Sequence, residues 1–169
     1  MWDLAAKDNW IFLKKHTSVQ ILDFFHASEY VSKVAEAIYY NKDKRKIWLT
    51  NSCHKLKHEE NGAQELLNEF IGYRQKRINA QKREKLENAI TYFKNQMPRM
   101  NYSEHIKNDY PIGSGVTEAA CKVIVKQRLC NSGMKWKEDG AKAVLCLRSL
   151  NYSSDRWEQM WNKISRYGI

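Results

Sequence analysis

The chain has 169 residues and a mass of 20.0 kDa, which fits one domain or one lobe of a larger protein. Hydrophobic residues make up 43% and aromatic residues 12%, with 7 glycines and 2 prolines, which argues against a disordered, collagen-like or turn-dense all-β chain. Lysine and arginine outnumber aspartate and glutamate by 29 to 19, and the resulting net charge of +10 indicates a polyanionic partner, most often nucleic acid.

Apolar residues at helical spacing predict helices along most of the chain, with one exception near the N-terminus. A short helix is expected at 10–13, capped by Asp8 or Asn9. Residues 18–25 are dense in β-branched and aromatic side chains, and they predict a buried strand. The partners of this strand would lie outside the sequence, so its unpaired edge predicts self-association.

The central part of the chain is predicted to be helical. Amphipathic helices are expected at 30–39, 47–56, 66–71 and 74–94. The pair Asn61-Gly62 marks a break between the second and third of these. The fourth is long, charged and exposed, and it ends before Pro98.

The last third of the chain is predicted to be a loop followed by helices. Residues 99–113 are expected to form the loop, and Ser114 is a candidate N-cap for the helix that follows. A break at 131–133 separates this helix from two more, at about 138–148 and 157–164.

Three features of the sequence predict a protein of the cytoplasm without membrane contact. The N-terminus has no basic region followed by an apolar run, as a secretory signal would. No apolar run approaches the roughly 20 residues that cross a bilayer. The cysteines Cys53, Cys121, Cys130 and Cys146 are widely spaced and are expected to be free thiols.

Asp23 and His26 stand at the turn that follows the predicted strand. A carboxylate at the end of a buried strand is a frequent metal ligand, because strand ends are rigid and open into clefts. The alternative is that Asp23 caps the next helix and that His26 is packed or solvated.

Glu118 lies in the first helical turn after Gly113-Ser114-Gly115. The glycines permit a close backbone approach to another group, and the helix dipole stabilises a carboxylate at this position. The alternative is an ordinary first-turn glutamate. The segment is not a Walker loop, because no Gly-Lys-Ser/Thr follows it.

Cys53, His54 and His58 resemble half of a zinc site. No second pair of ligands stands at a suitable distance along the chain, so structural zinc is not expected.

Two basic segments are candidate nucleic-acid surfaces, with solvated helix faces as the alternative for both. The first segment is interleaved with a tryptophan that can stack on a base, and it comprises Lys122, Lys126, Arg128, Lys135, Trp136, Lys137, Lys142 and Arg148. The second comprises Arg74, Lys76, Arg77, Lys82, Arg83 and Lys85.

Two blocks of the sequence resemble bacterial insertion-sequence transposases of the ISKra type. Residues 21–30, Ile-Leu-Asp-Phe-Phe-His-Ala-Ser-Glu-Tyr, are similar to the block hydrophobic-Asp-aromatic-aromatic-His followed by Glu-Tyr. Residues 111–118 are similar to the block Pro-Ile-Gly-Ser-Gly-x-x-Glu. Shorter matches in the same order extend the resemblance from about Ala6 to Trp161.

The resemblance implies a mainly α fold with one or two β-strands, which is the C-terminal part of an RNase H-like α/β catalytic domain with its helical insertion. Residues 1–25 would end the sheet region, and residues 26–110 would form the insertion. Residues 111–169 would form the C-terminal helices that carry the glutamate, all in one folded unit.

The family consists of DDE-type transposases, in which two aspartates and one glutamate hold two divalent metal ions for phosphodiester cleavage and strand transfer. The resemblance assigns the final carboxylate to Glu118, with Mg²⁺ or Mn²⁺ as the metal. Asp23 is either a second metal ligand or, with His26, a structural pair beside the active site. By the same resemblance, Gly113, Ser114 and Gly115 are supporting residues of the motif that contains Glu118. The implied partners are the DNA of transposon ends, a second copy or an intact transposase.

The first catalytic aspartate of the family has no clear counterpart. The family block Asp-Gly-Ala falls on Leu4-Ala5-Ala6, and Asp3 is one position out of register, a rotation of about 100° on a helix. We therefore expect a truncated transposase in the bacterial cytoplasm, associated with the nucleoid, that binds DNA and is inactive alone. The alternative is a non-catalytic basic helical module that binds nucleic acid or another protein.

Overall fold

The computed structural model describes the backbone of residues 3–168 and the side chains of residues 10–168. Over this range the chain is mainly helical and contains no β-strand. It divides into two units, Met1–Gly113 and Ser114–Ile169. None of the described helices combines the length and the apolar character that a membrane span requires.

The first unit is built from helices joined by short connections. They are α1 (Asp3–His16), α2 (Phe24–Ile38), α3 (Lys42–His58), α4 (Gly62–Gly72), α5 (Ala80–Gln96) and α6 (Tyr102–Lys107). Single 3₁₀ turns precede and follow α5, at Tyr73–Gln75 and Met97–Arg99. Helix α2 packs against α3 and α5, and α4 packs against the same two helices.

The core of the first unit lies between α2, α3, α4 and α5. On α2 the apolar residues Val31, Val34 and Ile38 recur at helical spacing and are buried, as predicted for an amphipathic helix. The rings of Phe70 and Phe93 meet edge to face with centroids 5.0 Å apart, which joins α4 to α5. The largest fully buried side chains are Tyr102, Phe70, Phe93, Leu56, Leu66, Leu86, Ile90, Met100, Val31 and Val34.

The predicted strand at 18–25 is wrong. Residues 17–23 are non-helical, and they are held by single backbone hydrogen bonds to two separate loops. Leu22 N–H donates to the carbonyl oxygen of Arg99 at 3.1 Å, and Phe24 N–H donates to that of Ile112 at 2.8 Å. A strand needs a ladder of such bonds with one neighbour. Self-association through a strand edge therefore has no support in the described residues.

The helix boundaries near the predicted long helix at 74–94 also differ. The regular helix α5 begins only at Ala80, because Asn79 caps it by accepting the N–H of Lys82 at 2.9 Å. Helix α1 begins at Asp3, so Asp8 and Asn9 lie inside it and do not cap it. The predicted loop at 99–113 contains α6, which packs against α3.

The division into two units differs from the prediction of one folded unit. The boundary after Gly113 lies close to the predicted boundary at 110–111. The predicted boundary at 25–26 instead falls in the first turn of α2. Because α2 packs against α5, residues 1–25 and 26–110 belong to the same unit.

The second unit begins with one continuous helix that is α-helical at both ends and π-helical in the middle. Helix α7 (Gly115–Ala120) runs through a π-helical segment, Cys121–Lys126, into α8 (Gln127–Leu129). The helices α9 (Glu138–Asn151) and α10 (Ser154–Tyr167) follow; α9 packs against both α10 and the π-helical segment. No described side chain of residues 114–168 is fully buried.

A substitution at Gly62 tests the close packing of α3 against α4. A Cβ at Gly62 would lie 2.2 Å from the carbonyl oxygen of Lys55 and 3.1 Å from the Cα of Leu56. Both are backbone atoms, so Gly62→Ala should lower the free energy of unfolding by about 1–3 kcal/mol, as overpacking does. Urea denaturation of the full chain measures the effect.

The matched control is Gly72→Ala at the other end of α4, where an added Cβ meets no atom within 4 Å. Its free energy of unfolding should stay unchanged or rise by about 0.4–1 kcal/mol, because alanine restricts the unfolded chain. Equal destabilisation by the two variants would contradict the packing of α3 on α4.

Candidate nucleic-acid interface

Asp23 is the N-cap of α2. Its Oδ1 accepts the backbone N–H of His26 at 3.0 Å, and Nδ1 of His26 lies 3.4 Å from the same oxygen. The side chain of Asp23 is 14% exposed and that of His26 is 67% exposed. The structure thus shows the capping arrangement with a solvated histidine, and one carboxylate oxygen of Asp23 serves the backbone of α2.

Tyr102 is a buried neighbour of Asp23 that the sequence analysis missed, because it lies in the predicted loop. Its ring packs edge to face on Phe24 with centroids 5.3 Å apart, and its hydroxyl has no hydrogen-bond partner among the described residues. Burial raises the pKa of Tyr102 well above its usual value, with smaller contributions from Tyr92 and Asp23.

Glu118 lies exposed in the first turn of α7. The Ser114 hydroxyl donates to Oε1 of Glu118 at 2.5 Å, and the N–H of Glu118 donates to the Ser114 carbonyl at 2.8 Å. Ser114 occupies the predicted N-cap position, but its hydroxyl binds the carboxylate and makes no capping bond to the backbone. A Cβ at Gly113 would make an ordinary 3.5 Å contact with Phe25, so this glycine is not required by crowding.

The described side chains do not provide the donor set of a two-metal site. Among residues 10–168 no group of three or more His, Cys, Asp or Glu side chains is placed to hold a metal ion. Asp23 belongs to the first unit and Glu118 to the second, and the side chain of Asp3 lies outside the described residues. We therefore derive no metal-dependent step for this chain.

The segment with Cys53, His54 and His58 lies on α3 in the first unit. Cys53 is half-buried and packs against the core, and burial raises the pKa of its thiol. Within residues 10–168 these three side chains do not form a group that is placed to hold a metal ion. The ring centroids of His54 and His58 lie 4.7 Å apart, because residues four positions apart are neighbours on the face of a helix.

Two arginines of the second basic segment, Arg74 and Arg83, are bound within the first unit. Nε of Arg74 donates to Oε1 of Glu87 at 2.9 Å, and this contact holds the pKa of the Glu87 carboxyl below its usual range. Nη2 of Arg83 donates to the carbonyl oxygen of Lys76 at 2.9 Å, which fixes the connection before α5. These guanidinium groups stabilise the loop between α4 and α5.

The lysines of the same segment also have internal partners. Nζ of Lys85 lies 3.0 Å from a carboxylate oxygen of Glu36, and Nζ of Lys82 lies 3.5 Å from the ring centroid of Tyr40. Arg77 is exposed and makes no hydrogen bond or ion pair among the described residues. Most of the basic side chains in this segment therefore already contact a carboxylate, a carbonyl or an aromatic ring.

Most of the first basic segment differs, because its cations between residues 119 and 137 are exposed and make no ion pair in their unit. Residues 119–137 contain five basic residues and no acidic residue. We call these residues the basic stretch; its cations are Lys122, Lys126, Arg128, Lys135 and Lys137, and all five side chains are exposed. None of them makes an ion pair within the described part of its own unit, whereas Lys142 beyond the stretch pairs with Glu138 at 2.6 Å. The basic stretch therefore carries positive charge that no ion pair within its unit neutralises.

Trp136 lies at the end of the basic stretch, just before α9. Its side chain is 38% exposed, and a Cβ added at Gly140 would lie 3.8 Å from its Cε3 atom. The ring thus rests against the first turn of α9 and keeps accessible surface beside Lys135 and Lys137. An anchored, accessible aromatic ring is suited to contact a base or a sugar.

Arg148, the remaining predicted DNA-binding residue, is half-buried on α9 and turned toward the backbone of its own unit. Its Nε donates to the carbonyl oxygen of Ile124 at 3.0 Å, and its Nη2 donates to that of Val123. We therefore leave Arg148 out of the candidate interface.

Comparisons with known proteins do not assign a family, since no protein-family profile, curated protein or solved structure matches the chain. The transposase resemblance stays a prediction, and the exposed charges and contacts described above do not depend on it.

Two substitutions of Asp23 distinguish its capping oxygen from its charge. Asp23→Ala removes the acceptor for the His26 N–H and should lower the free energy of unfolding by about 1 kcal/mol. Asp23→Asn keeps an acceptor oxygen and should stay close to the parent chain, because asparagine caps as well as aspartate. Thermal or urea unfolding at neutral pH measures both.

Asn41→Ala is the positive control, since Asn41 caps α3 by accepting the N–H of Lys44 at 2.9 Å. Asn41→Ala should lower the free energy of unfolding by about as much as Asp23→Ala does. If Asp23→Asn proved as destabilising as Asp23→Ala, the charge of Asp23 and not its cap would be the stabilising feature.

Proposed function

We propose that this chain binds DNA through the exposed cations of the basic stretch, as a DNA-contacting part of a DDE-type transposase that is not catalytic alone. The observation that supports it is the contrast between the two basic segments. In the first unit the arginines and lysines near α5 bind carboxylates, carbonyls and rings, whereas in the second unit the five cations of residues 119–137 are exposed and have no acidic neighbour in the stretch.

The contrast matters because phosphate binding competes with internal contacts. Arg74 would have to leave a two-bond contact with Glu87 before it could bind a phosphate. Lys122 and Lys126 have no such contact to give up within their unit. Phosphate contacts from flexible lysines and arginines supply most of the affinity in sequence-independent DNA binding.

The assignment to a transposase rests on the resemblance of residues 21–30 and 111–118 to the family blocks. The mainly helical fold agrees with the helical part of that expectation, and the RNase H-like arrangement is proposed on the resemblance alone. Under this proposal Glu118 and Asp23 are the residues that the family pattern links to Mg²⁺ or Mn²⁺. The partners would be transposon-end DNA and further transposase copies in the bacterial cytoplasm.

A second candidate function is that of a non-catalytic basic module that binds nucleic acid. The capping role of Asp23 favours it, because one of the two carboxylates in the resemblance has a sufficient structural explanation. Both candidates require DNA binding by the basic stretch. A plain protein-interaction module does not require it.

The salt dependence of DNA binding tests the shared requirement. Fluorescence anisotropy of a short labelled duplex gives the association constant of the full chain at several salt concentrations. The logarithm of this constant should fall steeply with the logarithm of salt, by about 0.9 per phosphate contact. In the triple variant Lys122→Gln/Lys126→Gln/Arg128→Gln the slope should become shallower by about 2–3.

The matched control is Lys42→Gln/Lys44→Gln/Lys46→Gln, which removes the same charge from exposed positions at the start of α3. Its slope should stay near that of the parent chain. Equal changes in the two triple variants would mean that only net charge matters. Binding that does not depend on salt, or no binding by the parent chain, would also contradict the proposal.

A further inference from the structure

The helix that carries the first cations of the basic stretch contains one π-helical turn. The backbone N–H of Gln127 bonds to the carbonyl oxygen of Lys122, five residues earlier, at the end of the segment Cys121–Lys126. In an α-helix this N–H would bond to Val123. Such turns are rare, and they recur at functional sites.

Because the N–H of Gln127 bonds to the carbonyl oxygen of Lys122, the carbonyl oxygen of Val123 loses the donor that an α-helix would give it. Val123 and Ile124 are half-buried, so their carbonyl oxygens have limited access to water. The guanidinium group of Arg148 donates to both of them, from Nη2 and Nε. A single side chain on α9 thus satisfies two adjacent carbonyls of the distorted turn.

Arg148 lies where it can make this contact, and no ion pair competes for its guanidinium group within the described part of the second unit. Arg148 lies in the last turn of α9, where the helix dipole stabilises a positive charge. No carboxylate among the described residues of the second unit forms an ion pair with it. The planar fork of arginine offers two nitrogens in fixed directions to the two neighbouring oxygens, whereas lysine offers a single nitrogen on a flexible stem.

We propose that Arg148 is a positioning residue that holds the π-helical turn and thereby sets the direction of the cations on either side of it. An extra residue in one turn rotates everything beyond it by about 100° relative to a regular α-helix. Lys122 lies at the start of the turn and Arg128 follows its end, so their relative direction depends on the turn. The functional consequence rests on the proposed DNA binding, and the structural part does not.

Hydrogen exchange of the full chain without DNA tests the structural part. Arg148→Lys keeps the charge and Arg148→Gln removes it, and neither side chain has the fork of two nitrogens that contacts the two carbonyls. Both variants should speed the exchange of the amides at 121–127 by about tenfold or more, because the turn opens more often. Lys142→Gln, which removes an exposed charge from the same helix, should leave these amides unchanged.

Exchange in α10 shows whether the second unit of each variant is still folded, because the amides of Ser154–Tyr167 should keep the parent rates. Parent rates at 121–127 in both Arg148 variants would overturn the proposal.

Duplex binding of the same variants tests the consequence. A positioning role predicts that Arg148→Lys weakens binding as much as Arg148→Gln, although it keeps the charge. A direct phosphate contact predicts instead that Arg148→Lys binds like the parent chain. It also predicts that Arg148→Gln makes the slope of log association constant against log salt shallower by about 1. This result would overturn the proposal. If the parent chain binds no DNA, the proposed function fails, while the exchange experiment still decides the role of Arg148.

Discussion

A lysine or arginine that already donates to a carboxylate, a carbonyl or an aromatic ring must give up that contact before it binds a phosphate. This competition distinguishes the two basic segments of the chain. Arg74 and Arg83 fix the connection between α4 and α5, and Lys85 joins α5 to α2. The five cations of the basic stretch make no such contact within their unit, so they can bind a polyanion without losing an internal contact.

The two units reach their structure by different means. The first unit buries large apolar side chains such as Phe70, Phe93 and Leu66 between four helices, and this burial dominates its stability. In the second unit no described side chain is fully buried, so single polar contacts carry more weight there. The contact of Arg148 with two carbonyls of the π-helical turn is the clearest of these, because hydrogen bonds from a charged donor are stronger than neutral ones.

The sequence predicts those features that depend on local pattern. Helix α2 is recognisable because Val31, Val34 and Ile38 repeat at helical spacing, and the exposed cations of the basic stretch follow from composition. Features fixed by distant contacts are not recognisable. The segment at 18–23 has the composition of a strand, but its bonds go to carbonyls about 80 to 90 residues away. Likewise, the π-helical turn depends on Arg148, which lies 24 residues from Ile124.

The most direct test of this account is the reactivity of individual lysines toward an acetylating reagent, read by mass spectrometry, with and without duplex DNA. The account predicts that DNA protects Lys122, Lys126, Lys135 and Lys137 and leaves the lysines at 42, 44 and 46 as reactive as before. Protection of the lysines of α3 in place of those of the basic stretch, or uniform protection of both groups, would contradict it.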